Sequence, residues 1–235
     1  MSPGLGRQVR ALGWVLCALI PGAAALLLVG RIPGVEFSLL LRDPAASTHQ
    51  PFYLGAFSQL GILFWCATVT LCLYTAFLLR RGGGDPHTSR FLLAAGLYAL
   101  LLLIDDLWMF HEGICRQYLH IPEVAVYAVY LGLLIVLFGW FVRPVRRSEW
   151  AILAVALGLF SLSILIDRYD HSYTDAYYLR EDGSKFLGIL VYFTYFLRTC
   201  RAATATNGAP APACTAPSPP PAGVPDRPDP SPPSA

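Results

Sequence analysis

Charge is scarce in this sequence. Asp, Glu, Lys and Arg make up 14% of its 235 residues, whereas soluble domains run nearer a quarter. The motifs of several enzyme classes are missing as well. There is no GxxxxGK(S/T) and no GxGxxG at a strand–helix junction, so nucleotide binding has no support. GxSxG is absent, which weakens a serine-hydrolase reading. HExxH is absent too, since His111-Glu112 is followed by no histidine at the required place. Asp105-Asp106 lacks the third aspartate of a DDxxD prenyl-diphosphate motif. Five histidines are too few for a membrane desaturase, and all but the cytoplasmic His87 lie too near the outer edge of the apolar segments for haem b. The six cysteines form no CxxC pair and no zinc-ribbon spacing. Only Cys115 lies outside the membrane on the outer face of the topology below, so no external disulfide is expected within the chain.

Apolar residues, by contrast, account for 55% of the chain and come in blocks. Several blocks reach the roughly 20 residues needed to cross about 30 Å of hydrocarbon. The sequence therefore reads as an all-α integral membrane protein, a bundle of six transmembrane helices at about 11–30, 54–79, 91–111, 123–142, 150–167 and 183–199. A signal peptide competes for the first block, where Gly22-Ala23-Ala24-Ala25 resembles a cleavage site. The apolar run continues through Leu26-Leu27-Leu28-Val29, too long for an ordinary signal, and an uncleaved anchor is preferred. The last block is the shortest, with charged flanks and the interfacial aromatics Tyr192, Tyr195 and Phe196. Residues 1–201 thus make the transmembrane domain. Residues 202–235 are rich in Pro, Ala, Ser and Thr and are expected to form a disordered cytoplasmic tail, unable to bury enough surface to offset its ordering entropy.

The loops suggest an orientation. With both termini in the cytoplasm, eleven of the seventeen basic residues fall on the cytoplasmic side, most clearly in the short connections 80–90 and 143–147. That is the positive-inside pattern, and it implies a multi-pass protein of the cell membrane, with N-in/C-in topology. Acidic residues do the reverse: only Asp85, Glu149, Asp226 and Asp229 are cytoplasmic, and the other eleven of fifteen lie on the outer half. The first outer loop, Arg31–Gln50, reads as an interfacial linker. The partners implied are membrane lipids. Nothing suggests a nucleic acid, and no protein partner is indicated.

The segment from Leu103 to Glu112, LIDDLWMFHE, carries most of the chemical information. Counting from Phe91 at 1.5 Å per residue places Asp105 roughly 21 Å along its helix, inside the hydrocarbon. An ionised aspartate at mid-membrane costs about 2.5–3.5 kcal/mol on insertion scales, so two in succession demand a reason. Asp105 and Glu112 share a helical face, Asp106 points about 100° away, and His111 joins them only if the helix end unwinds. The bland reading pairs the aspartates with a base on another helix, and Lys185 is the candidate. Asp167 and His171 are spaced i, i+4, suiting either one metal or an ordinary hydrogen bond. Glu181 and Asp182 suit a helix N-terminus, and Glu181 can pair with Lys185.

Together Asp105, Asp106, His111, Glu112, Glu123, Asp167, His171, Glu181 and Asp182 fall at the outer ends of the third to sixth helices. Carboxylates and imidazoles at one depth suit a divalent ion such as Zn, Mn or Fe. Asp105, His111, Glu112, Asp167 and His171 are the expected ligands, and Asp105, Asp106, Glu112 and Glu181 the expected acid–base groups. A metal-dependent hydrolase of a lipid-like substrate is the leading expectation. The alternatives are a non-catalytic membrane or assembly protein, whose cluster is an ion-pair network, and a cation- or proton-coupled transporter. The near-absence of polar residues between Phe91 and Ile104 leans against transport. In architecture, Asp105, Asp106, His111, Asp167 and His171 loosely resemble the membrane metal hydrolases of the alkaline ceramidase type. The paired HxxxH element is missing and that family usually has seven helices, so the resemblance assigns no residue roles.

Overall fold

The computed structural model describes residues 53–170, 172 and 174–208, with scattered positions between 13 and 51. It divides into two compact units, 1–60 and 61–235. In the first, the described positions of the segment 13–28 are helical, and the turn at Tyr53–Gly55 leads into helix α1. Most of the expected first span, 11–30, lies outside the described residues.

The second unit is built from helices alone among the described residues. After α1 (Ala56–Arg81) come α2 (Pro86–Trp108), a π-helical segment (Phe110–Tyr118), α3 (Glu123–Trp140), the short α4 (Val142–Arg147), α5 (Trp150–Tyr169) and α6 (Asp175–Gly208). Four of these, α1, α2, α3 and α5, are long and apolar enough to cross a membrane. Their surfaces agree with that. On α3, Ile135 and Val136 remain 62% and 64% exposed, an arrangement that water would penalise at roughly 25 cal/mol per Å² and lipid would not. The stretch expected at 183–199 lies inside α6, where the uncharged run Phe186–Leu197 sits between Lys185 and Arg198.

The composition assigned everything from residue 202 to a disordered tail, but α6 continues to Gly208. The physical reason is local. Ala202 and Ala203 favour helix, and extending an existing helix avoids the cost of nucleation. The remainder of the tail, 209–235, lies outside the described residues.

Small residues let the helices approach. A Cβ on Gly96 would stand 2.8 Å from the Leu73 side chain and 3.1 Å from Cys72 Cβ, so α1 and α2 close over that glycine. A Cβ on Gly188 would meet the Phe160 ring at 2.8 Å, which sets α6 against α5. Without a hydrophobic force between helices in lipid, such close backbone contact is a main source of association. Around these points the core is aromatic: Trp65 stacks on Phe160 at 6.0 Å and meets Tyr192 edge-on at 5.3 Å. Ser89 Oγ donates to the Ala76 carbonyl at 2.9 Å, tying α2 to α1 at the end where α2 begins.

Candidate functional site

On a straight helix, residues 105 and 111 are about 600° apart and face different ways. The chain solves this at Met109. Helix α2 stops at Trp108, and Met109 takes the left-handed conformation (φ 46°, ψ 49°), its N–H donating to the Asp105 carbonyl. A non-glycine residue there costs roughly 1 kcal/mol, so surrounding contacts must hold it. The π-helical segment that follows swings His111 back over Asp105. The His111 backbone N–H donates to Asp105 Oδ1 at 3.0 Å, and His111 Nδ1 lies 2.6 Å from Asp105 Oδ2. Asp105 is 5% exposed and His111 4%. The carboxylate therefore neutralises the open N–H end of the new helical segment and orients the imidazole at the same time.

Helix α3 supplies the far side. Glu123, Tyr127 and Tyr130 lie at four- and three-residue steps and so share one face. Tyr130 Oη donates to Asp105 Oδ1 at 2.8 Å. Tyr127 Oη donates to Glu123 Oε1 at 3.1 Å and lies 3.1 Å from His111 Nε2. Glu123 Oε1 is 3.7 Å from the same nitrogen, and its side chain is 29% exposed. A tyrosine hydroxyl carries one proton, which goes either to Glu123 or to the imidazole. The result is an unbroken path from the buried Asp105 through His111 and Tyr127 to a carboxylate at the rim.

Asp106 belongs to a separate network. Lys185 Nζ lies 2.9 Å from Asp106 Oδ1, and Trp65 Nε1 donates to Asp106 Oδ2 at 2.8 Å. This clamp joins α1, α2 and α6. A third group gathers at the start of α6. Tyr177 Oη donates to Asp167 Oδ1 at 3.3 Å. Glu181 is pushed up to about 7 by burial, then by the negative charges of Asp182 and Asp167. At the surface, Arg180 pairs with Asp170 at 2.7 Å.

The expected site residues are thus divided. Asp105 and His111 are brought together, while Asp106 sits with Lys185 and Trp65. Asp167 and Glu181 stand around Tyr177. His171 and the Glu112 side chain lie outside the described residues. Among the described residues no three His, Cys, Asp or Glu side chains form a group that would hold a metal ion.

Residues 12–199 match the family model described as Domain of unknown function (DUF8692). The chain belongs to the DUF8692 family. No curated protein and no solved structure matches it. The DUF8692 match contains every residue of the three polar groups and ends at Thr199, within α6.

Three members of this DUF8692 site were not singled out from the sequence: Tyr127, Tyr130 and Trp65. A signal for the first two was present. Glu123, Tyr127 and Tyr130 mark one polar stripe of an otherwise apolar helix. Trp65 offered none, since an indole in an apolar run looks like core until its N–H partner is known.

Proposed function

We propose that this DUF8692 protein is a multi-pass membrane protein of six spans with both termini in the cytoplasm. In this reading its working centre is an acid–base relay at the outer membrane face, acting on a lipid-like substrate. The observation that carries the proposal is the pair of environments around one buried imidazole. On Nδ1 a carboxylate fixes the ring, and on Nε2 a tyrosine hydroxyl and a partly exposed carboxylate face outward. Orienter, base and a route to the surface are the components of general acid–base catalysis. His111 is the base, Asp105 its orienting group, and Tyr127 with Glu123 the path by which a proton enters or leaves.

A metal-assisted form of this chemistry, with Zn, Mn or Fe, requires Glu112 and His171 to bring ligand atoms within about 2.0–2.2 Å of a common centre with the dyad. Elemental analysis of the purified protein separates it from the metal-free form. A second reading, a structural ion-pair network, draws support from the Asp106–Lys185–Trp65 clamp, in which the lysine and the indole both engage the Asp106 carboxylate from other helices.

The test is a panel of lipid-linked esters, amides and phosphoesters, presented to protein reconstituted in bilayers. Turnover is expressed per folded molecule. The relay reading expects turnover by the wild type, retained by Asp106→Asn and lost by His111→Gln. A wild type inert across the panel, or a His111→Gln protein as active as wild type, would contradict it.

A further inference from the structure

Far from the relay, at the opposite end of α2, the helices leave a cavity of about 800 Å³. Asp85 and Asp105 stand twenty residues apart along that helix, roughly 30 Å at 1.5 Å per residue. The cavity's walls are the first turns of α2, the short α4 with Ser148 and Glu149, and the last turns of α6. Four arginines line it: Arg143, Arg147, Arg198 and Arg201.

Two carboxylates share the cavity, and both are already engaged. Asp85 caps α2, accepting from the His87 and Thr88 backbone N–H groups at 3.2 and 3.0 Å and from Thr88 Oγ1 at 2.6 Å. Glu149 forms a two-pronged ion pair with Arg198. Hydrogen bonds from these partners hold both carboxyls below their ordinary range, so both are ionised at neutral pH. Among the described residues no carboxylate pairs with Arg143, Arg147 or Arg201. Helix α5 starts at the cavity's edge after Glu149, and no side chain caps its first turn. The N–H groups of a helix start add to the attraction for an anion. His87 and the buried Phe91 complete the lining.

We propose that this cavity binds a phosphate-bearing headgroup, and that its source is an anionic phospholipid of the cytoplasmic leaflet. Guanidinium forks match phosphate oxygens two at a time. A volume of this size suits a headgroup rather than a single small ion. The cavity lies at the ends of apolar helices, where lipid headgroups lie, and basic pockets between membrane helices on this side suit such lipids. A belt of positive charge that only sets topology would need no cleft between the helix ends and no sparing of three arginines from carboxylates. The inference shares the membrane topology with the proposed function but is independent of the relay chemistry.

The experiment uses the full chain in nanodiscs of phosphatidylcholine, with or without a phosphoinositide carrying extra phosphate groups. Retained lipid is read by native mass spectrometry, and melting temperature by light scattering. The wild type is expected to retain the phosphoinositide and to melt higher in its presence. Arg143→Gln/Arg147→Gln is expected to weaken retention by about tenfold or more, one charge-assisted contact being enough for that. Arg80→Gln/Arg81→Gln, basic residues of α1 that do not line the cavity, is expected to leave retention unchanged. Should the double variant fail to accumulate, Arg201→Gln, exposed on α6, carries the same expectation alone. A soluble inositol phosphate binding as tightly as the lipid would support the phosphate site and move its source to the aqueous phase. Equal losses in the α1 and cavity variants, or no loss in the cavity variants, would overturn the proposal.

Discussion

Removing one partner of the Asp106 clamp should cost more from the lysine side than from the acid side. Asp106 has 12% of its side chain exposed, Lys185 38%. In Lys185→Met the carboxylate stays in place with only the Trp65 N–H for company, and an uncompensated buried charge costs up to about 3–5 kcal/mol. In Asp106→Asn the ammonium keeps its attraction to Glu181 and can turn toward water, because Lys185 has exposed surface and a flexible stem. The Asn side-chain carbonyl still accepts from Trp65. The cost then falls to about 1 kcal/mol, the worth of an ordinary net hydrogen bond. Asp106→Leu removes the Trp65 acceptor as well and adds about 1–3 kcal/mol for the stranded N–H. The double variant Asp106→Leu/Lys185→Met removes both charges and should be more stable than the sum of the single losses predicts, by roughly 1–3 kcal/mol of coupling. Equilibrium unfolding in mixed micelles, followed by tryptophan fluorescence, measures all four. Additive losses would refute the clamp. An Asp106→Asn loss as large as that of Lys185→Met would refute the asymmetry.

Met109→Val places a β-branched residue in the left-handed region and should lower stability by about 1–2 kcal/mol, with turnover falling as the relay loses alignment. Unfolding and turnover measured together would show both. Gly96→Ala drives a methyl against Leu73 and Cys72 and should cost about 1–3 kcal/mol, read as a lowered melting temperature. Glu181 titrates near 7 in the folded chain because of burial and its acidic neighbours, above its unfolded value near 4.3. Across that window the unfolded chain ionises first, so stability should decline as pH rises from about 4.5 to 7. Melting curves of Glu181→Gln should lack that part of the decline.

Much of the architecture could be read from the sequence because lipid imposes a coarse rule: long, uncharged runs become helices. Helices α1, α2, α3 and α5 each carry such a run. The end of α6 was missed because composition reports Pro and Ser over a whole tail and cannot locate where a helix already under way will stop. In the site, the place of Asp105 and Asp106 at the end of one apolar helix was legible from the sequence. Their separation into two networks followed from the angle between neighbours, but each partner depended on tertiary packing. His111 was the hardest to place. Its union with Asp105 depends on a left-handed Met109 and a π-helical segment, neither of which has a local sequence signal. Tyr127 and Tyr130 were hidden by the opposite problem, since tyrosines near a membrane boundary are expected there for interfacial reasons.

The relay rests on a single hydroxyl between His111 and Glu123, and Tyr127→Phe removes that oxygen alone. The decisive measurement is turnover per folded molecule for this variant against wild type. The relay account predicts a loss of about 10²–10⁴-fold, the usual contribution of positioned proton transfer, with melting temperature changed by no more than one ordinary hydrogen bond allows. Full turnover in Tyr127→Phe, or a collapse of stability with unchanged turnover in the molecules that remain folded, would contradict it.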